Sequence, residues 1–208
     1  MRISKYLSWA GLSLGIAFLL LQSGISLQLR LSKGDNLLGA LWFLLSFFTI
    51  LTNIGIVLVH VSARTTANAL NWFRQPYVRS MFAVLILVVM LVYYFVLAQL
   101  WQPEGLMAVA DIGLHYVTPL LYLAWWLLHR RIEPAHMGEM SKMLVVPLVY
   151  LVWALVRGLI VGEYPYPFIN LDVLGWSHFL WNATLLFVAI AFLYGLFIAL
   201  EKHLPAQN

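Results

Sequence analysis

The sequence predicts an all-α polytopic membrane protein with six transmembrane helices and both termini on the cytoplasmic side. Three observations carry that expectation. Of 208 residues, 63% are hydrophobic and only 10% charged, and mean hydropathy is +0.89, values that exclude an ordinary soluble globule. Six continuous apolar runs reach the length of about 20 residues that a helix needs to cross the hydrocarbon core. Basic residues collect on alternate connections between those runs. The runs lack the alternation of membrane β-strands, and only helices or closed barrels satisfy every backbone group in lipid.

The first run, residues 6–28, follows Arg2 and Lys5 as a signal peptide would. It ends in Ser23-Gly24-Ile25-Ser26 without a clean small-x-small cleavage site, so it is taken as a span. The second run covers 37–61 and the third 80–101. The segment Trp101-Gln102-Pro103-Glu104-Gly105 reads as a tight outer turn with an interfacial Trp. The fourth, fifth and sixth runs cover 106–128, 143–162 and 173–200. Gly11-x-x-x-Gly15 in the first and Gly158-x-x-x-Gly162 in the fifth allow close helix approach, either within the chain or at a dimer contact through Gly11 and Gly15. No similarity between the first and last three spans suggests an inverted-repeat transporter. No connection is large enough to fold alone, so residues 1–208 read as a single transmembrane domain.

One side of the predicted bundle carries Arg2, Lys5, Arg64, Arg74, Arg79, Arg130, Arg131, Lys142 and Lys202, whereas the other carries only Arg30 and Lys33. The basic side faces the cytoplasm. Short connections point to a bacterial cytoplasmic membrane, with membrane lipids as the surroundings. A net charge of +4 in so apolar a chain reflects bilayer edges, so nucleic acid is not an expected partner. With no cysteine, thiolate catalysis and Cys-ligated metal centres are excluded, and no cofactor is expected.

Polar residues inside spans are costly, which makes them the places to look for function. In the second span Thr49, Asn53, Ile56 and His60 share one helical face, and in the fourth Asp111, His115 and Thr118 do the same. His178 and Asn182 lie one turn apart in the sixth. At 1.5 Å per residue, Thr49 lies about 18 Å below the outer end of its span and His115 about 14 Å, while His178 and Asn182 lie about 8 and 14 Å deep. His60, His129, His136 and His203 fall at or beyond the cytoplasmic ends and are read as surface or interfacial. A Thr hydroxyl becomes a nucleophile only when a base takes its proton, so Thr49 with His115, oriented by Asp111, is the candidate pair. Asn53, Asn182, His178 and Arg157 are candidate oxyanion donors. The bland alternatives are a Thr bonded to its own helix carbonyl, a His bridging helices, and an Arg157 that snorkels or pairs with Asp111, Glu163 or Asp172. The second reading of Arg157, ranked after these, is a clamp on a substrate carboxylate or phosphate head. The loop Tyr164-Pro165-Tyr166-Pro167-Phe168 cannot continue a helix and reads as an aromatic belt, a lid or a lipid entrance.

Three stretches, Phe47-Phe48-Thr49-Ile50-Leu51-Thr52-Asn53, Asp111-Ile112-Gly113-Leu114-His115-Tyr116-Val117-Thr118-Pro119 and Tyr166-Pro167-Phe168, resemble in order and placement the androgen-induced-gene family of small membrane hydrolases and its bacterial relatives. The resemblance implies an intramembrane Thr and His that hydrolyse fatty acid esters of hydroxy fatty acids, with Thr49 and His115 at the matching positions. Thr52 becomes the nucleophile if the correspondence slips by three. Two rival readings remain at this point. One is a metal-dependent, ceramidase-like hydrolase with His115, His178, Asp111 and Asp172 as ligands, although no paired-His metal motif is present. The other is a non-enzymatic protein that binds a lipid or small solute. A bis-His haem site would need His115 and His178 at the same depth.

Overall fold

The computed structural model describes residues 2–129 and 134–203; Arg130, Arg131 and the side chain of His203 lie outside the described residues. All regular structure among the described residues is helical: α1 (Arg2–Ser32), α2 (Leu37–Leu44), α3 (Phe48–Ser62), α4 (Pro76–Val92), α5 (Gly105–Ile112), α6 (Thr118–Leu128), α7 (Met140–Val161) and α8 (Leu171–His203). A π-helical turn, Tyr93–Leu97, extends α4, and a second, Gly113–Val117, joins α5 to α6. The segments Arg2–Ser32, Pro76–Leu97, Gly105–Leu128, Met137–Val161 and Leu171–Lys202 are each long and apolar enough to cross a membrane, and α2 with α3 adds a sixth if that bent pair is one span.

Helix α4 forms the centre. Every side chain from Val78 to Ile86 is buried, and α3, α6, α7 and α8 pack around it. Many apolar residues of α1, α7 and α8 instead point outward, among them Leu20, Val149, Ile160, Leu180 and Phe192. Such a surface would aggregate in water and is at home in acyl chains. Helix α1, long and apolar enough to cross a membrane, buries only small residues: Ser4, Ser8, Gly11, Gly15 and Ser26. These small residues let the backbone approach closely. A Cβ on Gly11 would stand 2.5 Å from His60 Nε2, and one on Gly15 would stand 2.7 Å from a Val57 methyl. Both glycines therefore serve contact with α3 inside this chain.

That contact corrects the reading of His60 as interfacial. Its side chain is fully buried, its Nδ1 lies 3.1 Å from Ser8 Oγ, and its ring meets Trp125 and Tyr122 edge to face. The small face of α1 covers the last turns of α3, which sequence depth alone did not reveal. His129 is likewise packed, stacked on Trp125 and 3.1 Å from Ser4 Oγ, whereas His136 is exposed.

The expected continuous second span is in fact broken: α2 and α3 meet at 80°. No Pro or Gly lies at the break, so side chains must catch the released backbone groups. Trp153 Nε1 donates to the Leu45 carbonyl at 3.2 Å, and the Tyr150 hydroxyl donates to the Ser46 carbonyl at 2.9 Å. Ser46 turns its own hydroxyl to Phe43 O at 2.6 Å. Helix α7 thus holds the bend open from outside. At the end of α7, Gly162 adopts φ +69°, which favours glycine, and its N–H closes on Gly158 O at 2.8 Å. The chain then folds back so that the Tyr164 ring covers Gly158, where a Cβ would stand 2.1 Å from that ring. The second small-residue motif therefore seats a loop instead of a neighbouring span.

Candidate active site

The break between α2 and α3 places Thr49 at the second residue of α3, inside the bundle. The first-turn N–H groups of a helix have no intrahelical partner and carry the positive end of its dipole. The Thr49 N–H is one of them, and it donates to the Tyr166 hydroxyl oxygen at 3.3 Å. The Thr49 side chain is buried, and its Oγ1 lies 3.2 Å from His115 Nε2 and 3.4 Å from the Tyr166 hydroxyl.

His115 sits in the π-helical turn before α6. Pro119 supplies a physical reason for that wide turn. It has no N–H for the His115 carbonyl, and its ring crowds the turn before it. The Gly113 carbonyl accepts the Thr118 N–H; Thr118 Oγ1 lies within range of the Gly113 (3.1 Å) and Leu114 (3.4 Å) carbonyls, but its one proton is best placed on Asn53 Oδ1, the nearest acceptor at 2.5 Å. Gly113 is required here because α1 lies close: a Cβ would stand 2.4 Å from the Phe18 ring. His115 Nδ1 lies 3.0 Å from Asp111 O and 3.2 Å from Asp111 Oδ1. A carbonyl and a carboxylate only accept, so the imidazole proton belongs on Nδ1 and the Nε2 lone pair faces Thr49. The Tyr93 hydroxyl donates to the other Asp111 oxygen, Oδ2, and the Tyr93 ring stacks on His115 with centroids 3.9 Å apart.

Asn53 is committed elsewhere. Its amide donates to Thr49 O at 2.8 Å and to Leu114 O at 3.2 Å, while its carbonyl oxygen accepts from Thr118 Oγ1 at 2.5 Å. It fastens α3 to the turn that carries His115 and so fixes the Thr49–His115 distance. Arg157 is nearly fully buried and donates to the Glu163 carbonyl at 2.6 Å and to its carboxylate at 2.8 Å. Arg30 reaches the same carboxylate at 3.1 Å and also pairs with Asp35. Partial burial pushes Glu163 upward, but hydrogen bonds from Arg157 and Arg30 outweigh it and hold the carboxyl below its ordinary range. These pairs anchor the loop that carries Tyr166. Asn182 Nδ2 donates to Phe168 O at 3.0 Å, a second anchor of that loop. His178 is exposed on α8 and faces its own Leu174 carbonyl. Thr52 is buried with no hydrogen-bond partner for Oγ1, and no histidine lies within hydrogen-bonding distance of it.

The structure therefore brings together Thr49, His115 and Asp111, whereas Asn53, Arg157, Asn182 and His178 are not the donors around the Thr49 hydroxyl. Two aromatic residues take that neighbourhood. Tyr166 was legible only as part of an aromatic loop between prolines. Tyr93, within Val92-Tyr93-Tyr94-Phe95, looks like any interfacial aromatic. Burial pushes the Tyr166 phenol above its ordinary value, so it keeps its proton at neutral pH. Asp172 and His178 are exposed while Asp111 and His115 are in the interior, and among the described residues no three His, Asp or Glu side chains are grouped to hold a metal ion.

Two cavities meet at Thr49. The larger, about 390 Å³, opens between α1, α2 and α5 and reaches Thr49, Tyr93, Asp111, His115 and Tyr166. The smaller, about 80 Å³, lies between α4, α7 and α8 and is lined almost wholly by apolar side chains beyond Thr49 and two tyrosines. No protein-family model, curated protein or solved structure matches the chain.

Proposed function

We propose that this protein is an intramembrane lipid-ester hydrolase, with six spans, its basic ends in the cytoplasm, Thr49 as nucleophile and His115 as base. The observation that carries the reading is the 3.2 Å separation of Thr49 Oγ1 and His115 Nε2 at the meeting of two largely apolar cavities. A Thr, a base oriented by a carboxylate, and donors beside the hydroxyl are the parts that acyl transfer needs. Lipid esters of the class implied by the resemblance to androgen-induced-gene hydrolases would reach such a site from the bilayer.

In the proposed reaction Thr49 Oγ1 attacks the ester carbonyl carbon as its proton passes to His115 Nε2. The Asp111 carboxylate stabilises the imidazolium that forms. The Thr49 N–H and the Tyr166 hydroxyl donate to the carbonyl oxygen as it gains charge. Collapse breaks the bond to the alkoxy oxygen, which takes the proton from His115. Water, deprotonated by His115, then cleaves the Thr49 ester, releasing the fatty acid and restoring the hydroxyl. The test is cleavage of fluorogenic acyl esters by detergent-purified protein. Thr49→Ala and His115→Ala are each expected to abolish it at unchanged folded yield. Equal turnover in both variants and wild type, with lipid retained in every preparation, would overturn the reading in favour of a lipid-binding protein.

A further inference from the structure

The two cavities are not equivalent with respect to the reacting groups. Thr49, Tyr166 and Leu97 line both, so the carbonyl being attacked belongs at their junction. His115 lines only the larger one. The base that takes the nucleophile's proton must return it to the departing alkoxy oxygen, so the alcohol portion has to lie on the His115 side. Only the smaller cavity is left for the acyl chain. Resting on the hydrolase reading above, we infer that the cavity between α4, α7 and α8 is the acyl-binding arm and limits acyl length, while the larger cavity takes a bulkier alcohol portion.

The shape of the smaller arm fits that assignment. It runs inward from Thr49 past Val92 to Val88 on α4, and from Ala183 to Ile190 on α8. Seven residues of α8 at 1.5 Å each give a length of about 10 Å, ending at Ile190, which is itself buried. Its volume, about 80 Å³ against about 390 Å³, makes it the tighter of the two, so it restricts the length and branching of a chain that enters it. The larger cavity has Gln22, Ser26 and Asp111 on its walls, so it tolerates a polar substituent that the smaller arm does not.

The experiment uses the full chain in detergent, with acetyl, octanoyl and palmitoyl esters of one fluorogenic alcohol and, separately, equilibrium binding of radiolabelled octanoate. Ala183→Phe fills the smaller arm, and Leu186→Phe is a second filling variant at a less buried position should the first fail to fold. Met107→Trp narrows the larger cavity as the control. The expected result for the filling variants is at least a tenfold loss of kcat/KM on the octanoyl ester, an unchanged value on the acetyl ester, and loss of octanoate binding. Met107→Trp should leave the ratio between chain lengths as it is. A chain-length profile that responds to Met107→Trp and not to the filling variants would reverse the arms and overturn the inference. If wild type cleaves no ester, the hydrolase reading fails on its own. Octanoate binding then still decides the arm: loss in the filling variants keeps it as an acyl site, and equal binding rejects it.

Discussion

The Tyr93 ring lies nearly flat on the His115 imidazole, with planes 17° apart, while its hydroxyl donates to the carboxylate of Asp111. One side chain thus fixes both the plane of the proposed base and the group that orients it. The arrangement depends on two π-helical turns, Tyr93–Leu97 and Gly113–Val117, irregularities that turn side chains out of ordinary helical register and are frequent at functional sites.

Tyr93→Phe keeps the stack and removes the hydrogen bond to Asp111. A hydrogen bond to a charged group contributes about 1.5–3 kcal/mol, so kcat is expected to fall by about tenfold or more with KM little changed. Tyr93→Leu, which loses the stack as well, should fall further. Steady-state kinetics at saturating ester checks both, and wild-type kcat in Tyr93→Phe would remove this residue from the account.

Tyr166→Phe removes the side-chain donor next to Thr49 Oγ1 while retaining the ring that stacks on Phe168. Loss of one oxyanion donor costs roughly 10²–10³ in kcat. The same drop is expected here, with the thermal midpoint shifted far less than by any change in the core. A loss confined to KM would show that Tyr166 shapes the entrance without touching the reacting atoms.

Asn53→Ala takes the side-chain donor from the Leu114 carbonyl and removes the bonds by which this amide ties Thr49 O and Thr118 Oγ1 together. Each buried polar group left without a partner costs about 1–3 kcal/mol, so the variant should unfold at lower temperature as well as lose activity. Wild-type stability with intact activity would contradict the role of Asn53 as the fastener between α3 and the His115 turn.

Glu163 sets a pH limit on the loop that carries Tyr166. Because its folded value is lowered, the stabilisation is fully present above the ordinary glutamate value of about 4.3. It declines as pH drops below that and is lost once pH falls through the lower folded value. Hydrogen-exchange protection factors of residues 163–169, corrected for the intrinsic pH dependence of exchange, should therefore fall on acidification more in wild type than in Glu163→Gln, where the pair with Arg157 and Arg30 is already neutralised on one side. Identical acid responses would show that the pairs do not hold the loop.

Gly55→Leu tests the packing of α3 on α4, because even a Cβ at that position would stand 2.0 Å from the Phe82 ring. Overpacking a close contact costs about 1–3 kcal/mol. A lower thermal midpoint in detergent is the expected outcome, and Gly24→Leu, where nothing stands within 4 Å, should leave it unchanged.

The polar pairing inside the apolar runs is legible because lipid makes polar residues expensive: Thr49 and His115 stand out in the sequence by type, depth and helical face. The positions of Gly11 and Gly15 announced close packing for the same reason. Three things were not legible. The bend between α2 and α3 carries no Pro or Gly at the break, since the carbonyls it frees are satisfied by Trp153 and Tyr150, more than a hundred residues further on. Asn182 looked like a donor for a reacting group, but its partner is the Phe168 carbonyl; for Arg157 the pairing with Glu163 was among the readings the sequence offered, and it is the one the structure holds. His60 looked interfacial until α1 was laid across it.

The sequence by itself determined that the chain is helical and built for an apolar surrounding, because a run of some twenty apolar residues has to satisfy its backbone internally and composition alone reports that. Which polar groups meet was decided by the tertiary structure. A hydroxyl, an imidazole and two phenols from distant segments come within a few ångströms only through the orientation of whole helices, and that orientation follows from small-residue contacts and side-chain capture of broken backbone, neither of which has a period that can be read along the chain.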